Sequence, residues 1–82
     1  MAKFFLHLRD GTDELLDPEG QEFADMEALR RHVMITVRDL MAGDVRNGLI
    51  DFRYHIDAQD EAGKVVYSLP FRHAISVIPE IA

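Results

Sequence analysis

Residues 25–41, DMEALRRHVMITVRDLM, decide the fold, because they carry a long and clear apolar period of 3.6 residues. Asp25 stands just before the run, where its carboxylate can cap a helix, and Gly43 follows it as a residue suited to ending one. The pattern therefore predicts an amphipathic helix over residues 25–41. The stripe predicted to face the core holds Met26, Leu29, Val33, Val37 and Leu40.

A second, narrower set of apolar residues lies almost opposite this stripe. Ala28, Ile35 and Ala42 recur at a spacing of seven, and Arg31 and Arg38 flank them. We call these five residues the helix seam. One interpretation is that alanine is simply a good helix former and that one isoleucine is exposed by chance. The other interpretation is a second packing face, which would contact another subunit or a partner.

Short segments with alternating apolar and polar side chains surround the helix. Residues 3–9, 51–58 and 64–69 each alternate in this way, which is typical of half-buried strands. They predict three strands with one face toward the helix. The strand residues predicted to reach the core are Phe4, Leu6, Leu8, Phe52, Tyr54, Ile56, Val65, Tyr67 and Leu69.

Together these elements predict an α+β fold: a small antiparallel sheet of three or four strands with one main helix packed on one face. Leu15 and Leu16 form a short apolar patch, and the DPEG sequence at 17–20 is typical of a turn. Residues 21–23 would then be the second arm of a short hairpin. The order is ββαββ if the leucine patch pairs with the first strand, and βαββ if it does not.

Composition narrows the function classes. A chain of 82 residues predicts one small domain, residues 1–82. Its net charge of −6 disfavours generic nucleic-acid binding, which depends on neutralising phosphates. The chain has no cysteine, its opening apolar run is too short for a signal peptide, and no stretch is long enough to span a membrane. We therefore expect a cytoplasmic protein with no membrane partner.

Several short sequences resemble a known family. They are FFLHLRDG at residues 4–11, DPEG at 17–20 with Asp25 before a helix, GKVV at 63–66 and LPF at 69–71. Together they resemble a family of short bacterial proteins of unknown function, over most of the chain. The resemblance implies a bacterial, cytoplasmic small domain and implies no particular catalysis.

The residues best able to bind a metal ion or to act as acids and bases lie on the predicted strands. His7 and His55 fall on the polar faces of two strands, near Arg9, Arg53 and Asp57 in sequence. If the register is suitable, they would converge as metal ligands or as an acid–base cluster. The simpler interpretation is a solvated sheet face with cross-strand charge pairs, on which both histidines are surface residues that contribute little stability.

Motifs for catalysis are not evident. Neither serine lies in a nucleophile-elbow motif, and no glycine-rich phosphate loop is present. We assign no catalytic residue, cofactor or metal ligand. Two function classes stay open: a non-catalytic interaction module that binds itself as a homodimer or another protein, and a small ligand- or metal-binding domain or enzyme that uses the His7/His55 face.

Overall fold

The computed structural model describes residues 1–79, and it has the predicted α+β architecture. The described elements are β1 (Ala2–Arg9), β2 (Glu14–Leu15), β3 (Gln21–Phe23), α1 (Met26–Arg46), β4 (His55–Gln59), β5 (Val65–Pro70) and a 3₁₀ turn (Phe71–Ala74). All strand pairs are antiparallel, and the described strands form one five-stranded sheet.

The sheet is built around β1. The strand order is β2-β1-β4-β5, and β3 also pairs with β1, at its N-terminal end. Leu15 does pair back on the first strand, opposite Leu8, which excludes the βαββ alternative. The observed order is βββαββ rather than ββαββ, because β3 adds a third strand before the helix. The sheet has five strands rather than three or four, because both segments that flank the 17–20 turn pair with β1. Among the described residues they do not pair with each other, so the predicted hairpin arm at residues 21–23 is wrong.

Helix α1 buries a stripe that drifts around its axis. Leu29, Val33, Val37 and Met41 are buried at steps of four residues, and four residues turn the helix about 40° past one full turn. The predicted core position of Leu40 is therefore wrong: its exposed fraction is 39 %, whereas that of Met41 is 3 %.

The helix also ends later than its sequence predicts. It continues to Arg46, so Gly43 lies inside the helix and does not end it. A glycine inside a helix is unfavourable by only about 1 kcal/mol, which the packing of Met41 can offset. The residue that ends the helix is Gly48, whose φ of 78° is left-handed and whose N–H donates to the carbonyl of Val45 at 2.9 Å.

Two strand predictions need correction. Strand β4 begins only at His55, and Phe52 lies in a turn, partly buried against the core. A register shift between Ala58 and Gln59 turns Val65 outward, so its predicted core position is wrong, and Val66 packs against the core instead. A bulge of this kind adds one residue to a strand and reverses the faces beyond it. The buried apolar core among the described residues comprises Phe4, Phe23, Leu29, Val33, Val37, Met41, Ile56, Ala58, Leu69, Phe71 and Ala74.

The drift of the helix stripe is testable with a pair of adjacent residues. We expect Met41→Ala to lower the free energy of unfolding by about 2–5 kcal/mol, because it leaves a cavity in the core. Leu40→Ala removes a side chain that is partly in water, so it should lower the free energy by about 1 kcal/mol or less. Urea denaturation followed by circular dichroism gives both values. Equal losses, or a larger loss for Leu40→Ala, would contradict the observed stripe.

Candidate functional site: the polar sheet face and a leucine groove

Strand register brings four of the predicted polar residues together on the sheet face that points away from α1. His7 lies opposite Asp57, and Arg9 lies opposite His55. Arg9 Nη1 donates to Asp57 Oδ2 at 2.7 Å, and His55 Nε2 lies 3.2 Å from the same oxygen. Arg9 Nε also lies 3.3 Å from Glu14 Oε1, so the guanidinium bridges β4 and β2. This face is a network of ion pairs that ties three strands together.

The carboxylate of Asp57 is the centre of that network. Burial on its own would raise the pKa of Asp57, but the Ser68 hydroxyl, the Arg9 guanidinium and His55 outweigh this effect and lower the pKa. The charged form is therefore favoured in the folded protein. A carboxylate held in this way is a poor general base, since it resists taking up a proton.

His7 is not a surface residue, contrary to the expectation from strand alternation. Its exposed fraction is 8 %, because the turn that begins at Asp17 folds over it. The backbone N–H of Asp17 donates to His7 Nδ1 at 3.1 Å, so Nδ1 is an acceptor with no proton of its own. The Asp17 carboxylate in turn accepts from the backbone N–H groups of Leu6 and Gly20, at 3.3 and 3.1 Å. The imidazole thus anchors the turn through hydrogen bonds.

A glycine is required where this turn reaches the sheet. Gly20 has a φ of 74°, and a Cβ atom on it would lie 2.8 Å from a ring carbon of Phe5. Only a residue without a side chain allows this approach. The turn therefore covers part of the polar face, including Phe5 and His7.

Arg53 does not join the network. It lies in the turn before β4, where its Nη2 donates to Asp51 Oδ2 at 2.7 Å, and its hydrogen bonds lower the pKa of Asp51 to about 2. Within the part of the chain that the structure describes, no three His, Asp or Glu side chains approach one another as metal ligands would.

The helix seam is only partly available on the surface. Ile35 is 54 % exposed and Ala42 is exposed, but Ala28 packs against the core. Arg38 Nε donates to the carbonyl of Ala74 at 2.8 Å, which joins α1 to the 3₁₀ turn. The last residue of the seam, Arg31, forms an exposed ion pair with Glu27 at 3.2 Å.

A larger apolar surface lies on the opposite side of α1, and the sequence analysis missed it. We call it the leucine groove: a cleft of about 440 Å³ between α1 and the β2 arm. Leu15 and Leu16 on one wall are 70 % and 53 % exposed, and Leu40 forms the other wall. The lining residues are Leu6, Leu8, Leu15, Leu16, Asp17, Pro18, Thr36, Leu40 and Ile56.

A second cleft of about 410 Å³ continues the groove past the end of β1. It shares Leu8 and Leu40 with the first cleft, so the two form one surface, and it adds the exposed Leu49. The remaining residues that line this extension are Asp44, Asp51, Arg53, Tyr54 and Phe71. The sequence did contain a signal for this surface. Leu15 and Leu16 are adjacent leucines among acidic residues, and they belong to no strand or helix pattern that would predict their burial.

The groove offers an apolar surface on which another molecule can bind. Leucine side chains form most of its apolar lining, and its polar lining residues are Asp17, Thr36, Asp44, Asp51, Arg53 and Tyr54. Within residues 1–79, no helix combines the length and the apolar character needed to cross a bilayer. An exposed apolar cleft with polar edges is typical of a protein–protein interface.

Comparison with known proteins identifies a family. The model of the family described as a domain of unknown function (DUF6894) matches residues 3–72, which include the five described strands except Ala2, the first residue of β1. No curated protein and no solved structure matches the chain.

The buried position of His7 predicts a stability effect. His7→Ala leaves the N–H of Asp17 without its acceptor, so we expect a loss of about 1–3 kcal/mol in the free energy of unfolding. His7→Asn places an amide oxygen near the position of Nδ1 and should recover part of that loss. His55→Ala, on the more open part of the face, should cost about 0.5 kcal/mol or less. Equal effects of His7→Ala and His55→Ala in urea denaturation would show that the turn does not depend on the imidazole.

The network predicts a pH dependence through Asp57. Its folded-state pKa lies below the ordinary value of 3.8, so the network's contribution is complete above that pH and is lost as the pH falls through the folded pKa. Asp57→Asn should lower the free energy of unfolding at about pH 7 by roughly 1–2 kcal/mol and should flatten the acid limb of the stability curve. Glu61→Gln, in the exposed β4–β5 loop, is the matched control and should leave that limb unchanged. An acid limb that is the same in Asp57→Asn and wild type would refute the assignment.

Proposed function

The chain belongs to the DUF6894 family, and because that description assigns no activity, we propose from its geometry that it is a non-catalytic interaction module that binds another protein through the leucine groove. Its setting in this proposal is the bacterial cytoplasm, in keeping with the chain's lack of cysteine and with the resemblance described above.

The exposed leucines carry this proposal. Leu15, Leu16 and Leu40 meet around one cleft, each with at least a third of its surface in water. Fully burying a leucine side chain is worth about 1.5–3 kcal/mol, so a partner that covers the exposed parts of these three gains roughly 3 kcal/mol. Single exposed apolar residues are ordinary on protein surfaces, but a contiguous set beside a cleft is not.

The polar sheet face supports a ligand-binding or catalytic role less well. The Arg9 guanidinium is already engaged by Asp57 and Glu14, and Nδ1 of His7 is occupied by a backbone N–H. A substrate or metal ion would have to break these contacts before it could bind. The face is better explained as the network that holds β2, β1 and β4 in register.

Self-association through the helix seam is a second form of the same proposal. The longer helix favours it, because the exposed Val45 lies three residues after Ala42 and adds an apolar side chain beside the seam. In a two-fold dimer the same patch would serve both copies. The partly buried Ala28 leaves this seam shorter than we expected from its spacing of seven.

Two matched variants test the proposal. Leu16→Glu places a charge in the groove and Ile35→Glu places one on the seam, and the two residues are 53 % and 54 % exposed in the wild type. We expect tagged wild-type protein in its native cells to capture a partner that Leu16→Glu loses by about tenfold, as a hot-spot residue would, and that Ile35→Glu retains. Quantitative mass spectrometry against untagged cells measures the difference.

The result that contradicts the groove is equally clear. If the tagged protein captures no partner above the level in untagged cells, or if both variants capture the partner equally, the leucine groove is not the interface. Loss in Ile35→Glu alone would assign the interface to the seam. Sedimentation equilibrium of the same three proteins shows whether the partner is a second copy, since the dimer would then dissociate in one variant only.

A further inference from the structure

The sheet face is wider than helix α1. Strands lie about 4.8 Å apart, so the four strands of the β2-β1-β4-β5 path span about 14 Å between the outer axes, whereas one helix covers about 10 Å and leaves one edge of the face open. Helix α1 lies closest to β3, β5 and the 3₁₀ turn. The part of the sheet face that α1 leaves uncovered lies over β2 and the end of β1, and the leucine groove is at this place.

The shape of the leucine groove matches the apolar stripe of a helix. Leu8 lies on the floor, and its cross-strand partner Leu15 forms one wall together with Leu16. Thr36 and Leu40 of α1 form the other wall. Helices that pack side by side have axes 8–10 Å apart, so an added helix would touch this wall and the β2 arm together. Strand addition is less favoured, because β2 has only two residues in its ladder, Glu14 and Leu15.

Charge selects the kind of helix. The lining of the two clefts includes Asp17, Asp44 and Asp51, and its single cation, Arg53, is already paired with Asp51. The rim is therefore negative, like the chain as a whole, whose net charge is −6. A cationic partner is attracted to such a rim, whereas groove-to-groove packing of two copies brings like charges together.

We infer that the leucine groove binds an amphipathic α-helix of a partner protein, with an apolar stripe flanked by lysine or arginine; the inference rests on the proposed interaction function and specifies its partner. The stripe packs on Leu8, Leu16 and Leu40, and the basic flanks face Asp17 and Asp44. This is helix-in-groove recognition, in which residues at i, i+3, i+4 and i+7 are the anchors.

Three synthetic peptides test the inference directly. The first is a capped helix of about 18 residues, roughly 27 Å long, with a leucine stripe and lysine flanks. The second has glutamate in place of each lysine, and the third has the composition of the first in a scrambled order without a stripe. Each is labelled and titrated with full-length wild-type protein, Leu16→Glu and Ile35→Glu, and fluorescence anisotropy gives the dissociation constant.

We expect the lysine peptide to bind wild type about tenfold or more tightly than the glutamate and scrambled peptides, and to weaken as salt rises from about 50 to 500 mM. Leu16→Glu should weaken it about tenfold and Ile35→Glu less than about twofold. The Leu16→Glu result is decisive, because the added negative charge would strengthen a purely electrostatic attraction to lysine. Asp44→Lys should reduce the preference for lysine over glutamate flanks.

Other results overturn the inference. Equal binding of the lysine and scrambled peptides would show that binding is charge attraction and needs no apolar stripe. Equal binding of the lysine and glutamate peptides would show that the groove does not prefer basic flanks. Tighter or unchanged binding by Leu16→Glu, or no binding of any peptide, would exclude a helix in this groove. If the peptide results contradict the inference but a native partner is still captured through Leu16, the proposed function holds and only the helical partner is wrong. If the lysine peptide binds but no native partner is captured, the proposed function is wrong and the helix-binding groove holds.

Discussion

The width of the sheet is the constraint on which the rest of this structure depends. A helix about 10 Å across leaves part of a face that spans about 14 Å uncovered, and other segments have to cover the rest. On the β5 side it does so with the 3₁₀ turn, where Phe71 and Ala74 are buried and Arg38 of α1 bonds the carbonyl of Ala74. On the β2 side no comparable described segment fills the space, and the leucine groove is the result.

The sheet face that points away from α1 carries polar side chains that pair with one another, and no second layer of helices packs on it among the described residues. Arg9, His55 and Asp57 satisfy one another, and Ser68 adds a hydroxyl from β5. The Asp17 turn then covers His7 and half-buries Phe5, so this side needs no helix. The polar face of β1 is thus covered by side chains from distant β4 and by the turn that follows β2, which helps to keep a small sheet stable without a large core.

Prediction from the sequence succeeded where one residue pattern had one structural meaning. The 3.6-residue period located α1, the alternation located β1, and the DPEG turn followed from Pro18 and Gly20. It failed where tertiary context decided between similar alternatives. Leu40 and Met41 are adjacent leucine-sized residues, and only the angle of the helix across the sheet determines which of them is buried. The bulge at Ala58 that exposes Val65 has no local signal of its own.

For the site residues too, prediction succeeded where a local pattern was sufficient and failed where tertiary contacts decided. Strand alternation correctly placed His7, Arg9, His55 and Asp57 on one face, because a period of two needs no knowledge of the partner strand. It could not show that a turn ten residues away buries His7, since that depends on the hydrogen bond to Asp17. The leucine groove was harder still. One wall comes from Leu15 and Leu16, and the other comes from the second half of α1. Neither stretch of sequence shows a pattern that indicates contact with the other.

The charge of the chain connects stability, solubility and recognition. A cleft with exposed leucines favours self-association, because two such surfaces can cover each other. Acidic groups at its rim oppose this outcome, since two copies brought groove to groove would place Asp17, Asp44 and their neighbours against like charges. The same carboxylates attract a cationic surface. Under the proposed function, an acidic rim around an apolar floor would oppose groove-to-groove pairing of two copies and would favour a basic partner, so one set of side chains would serve both requirements.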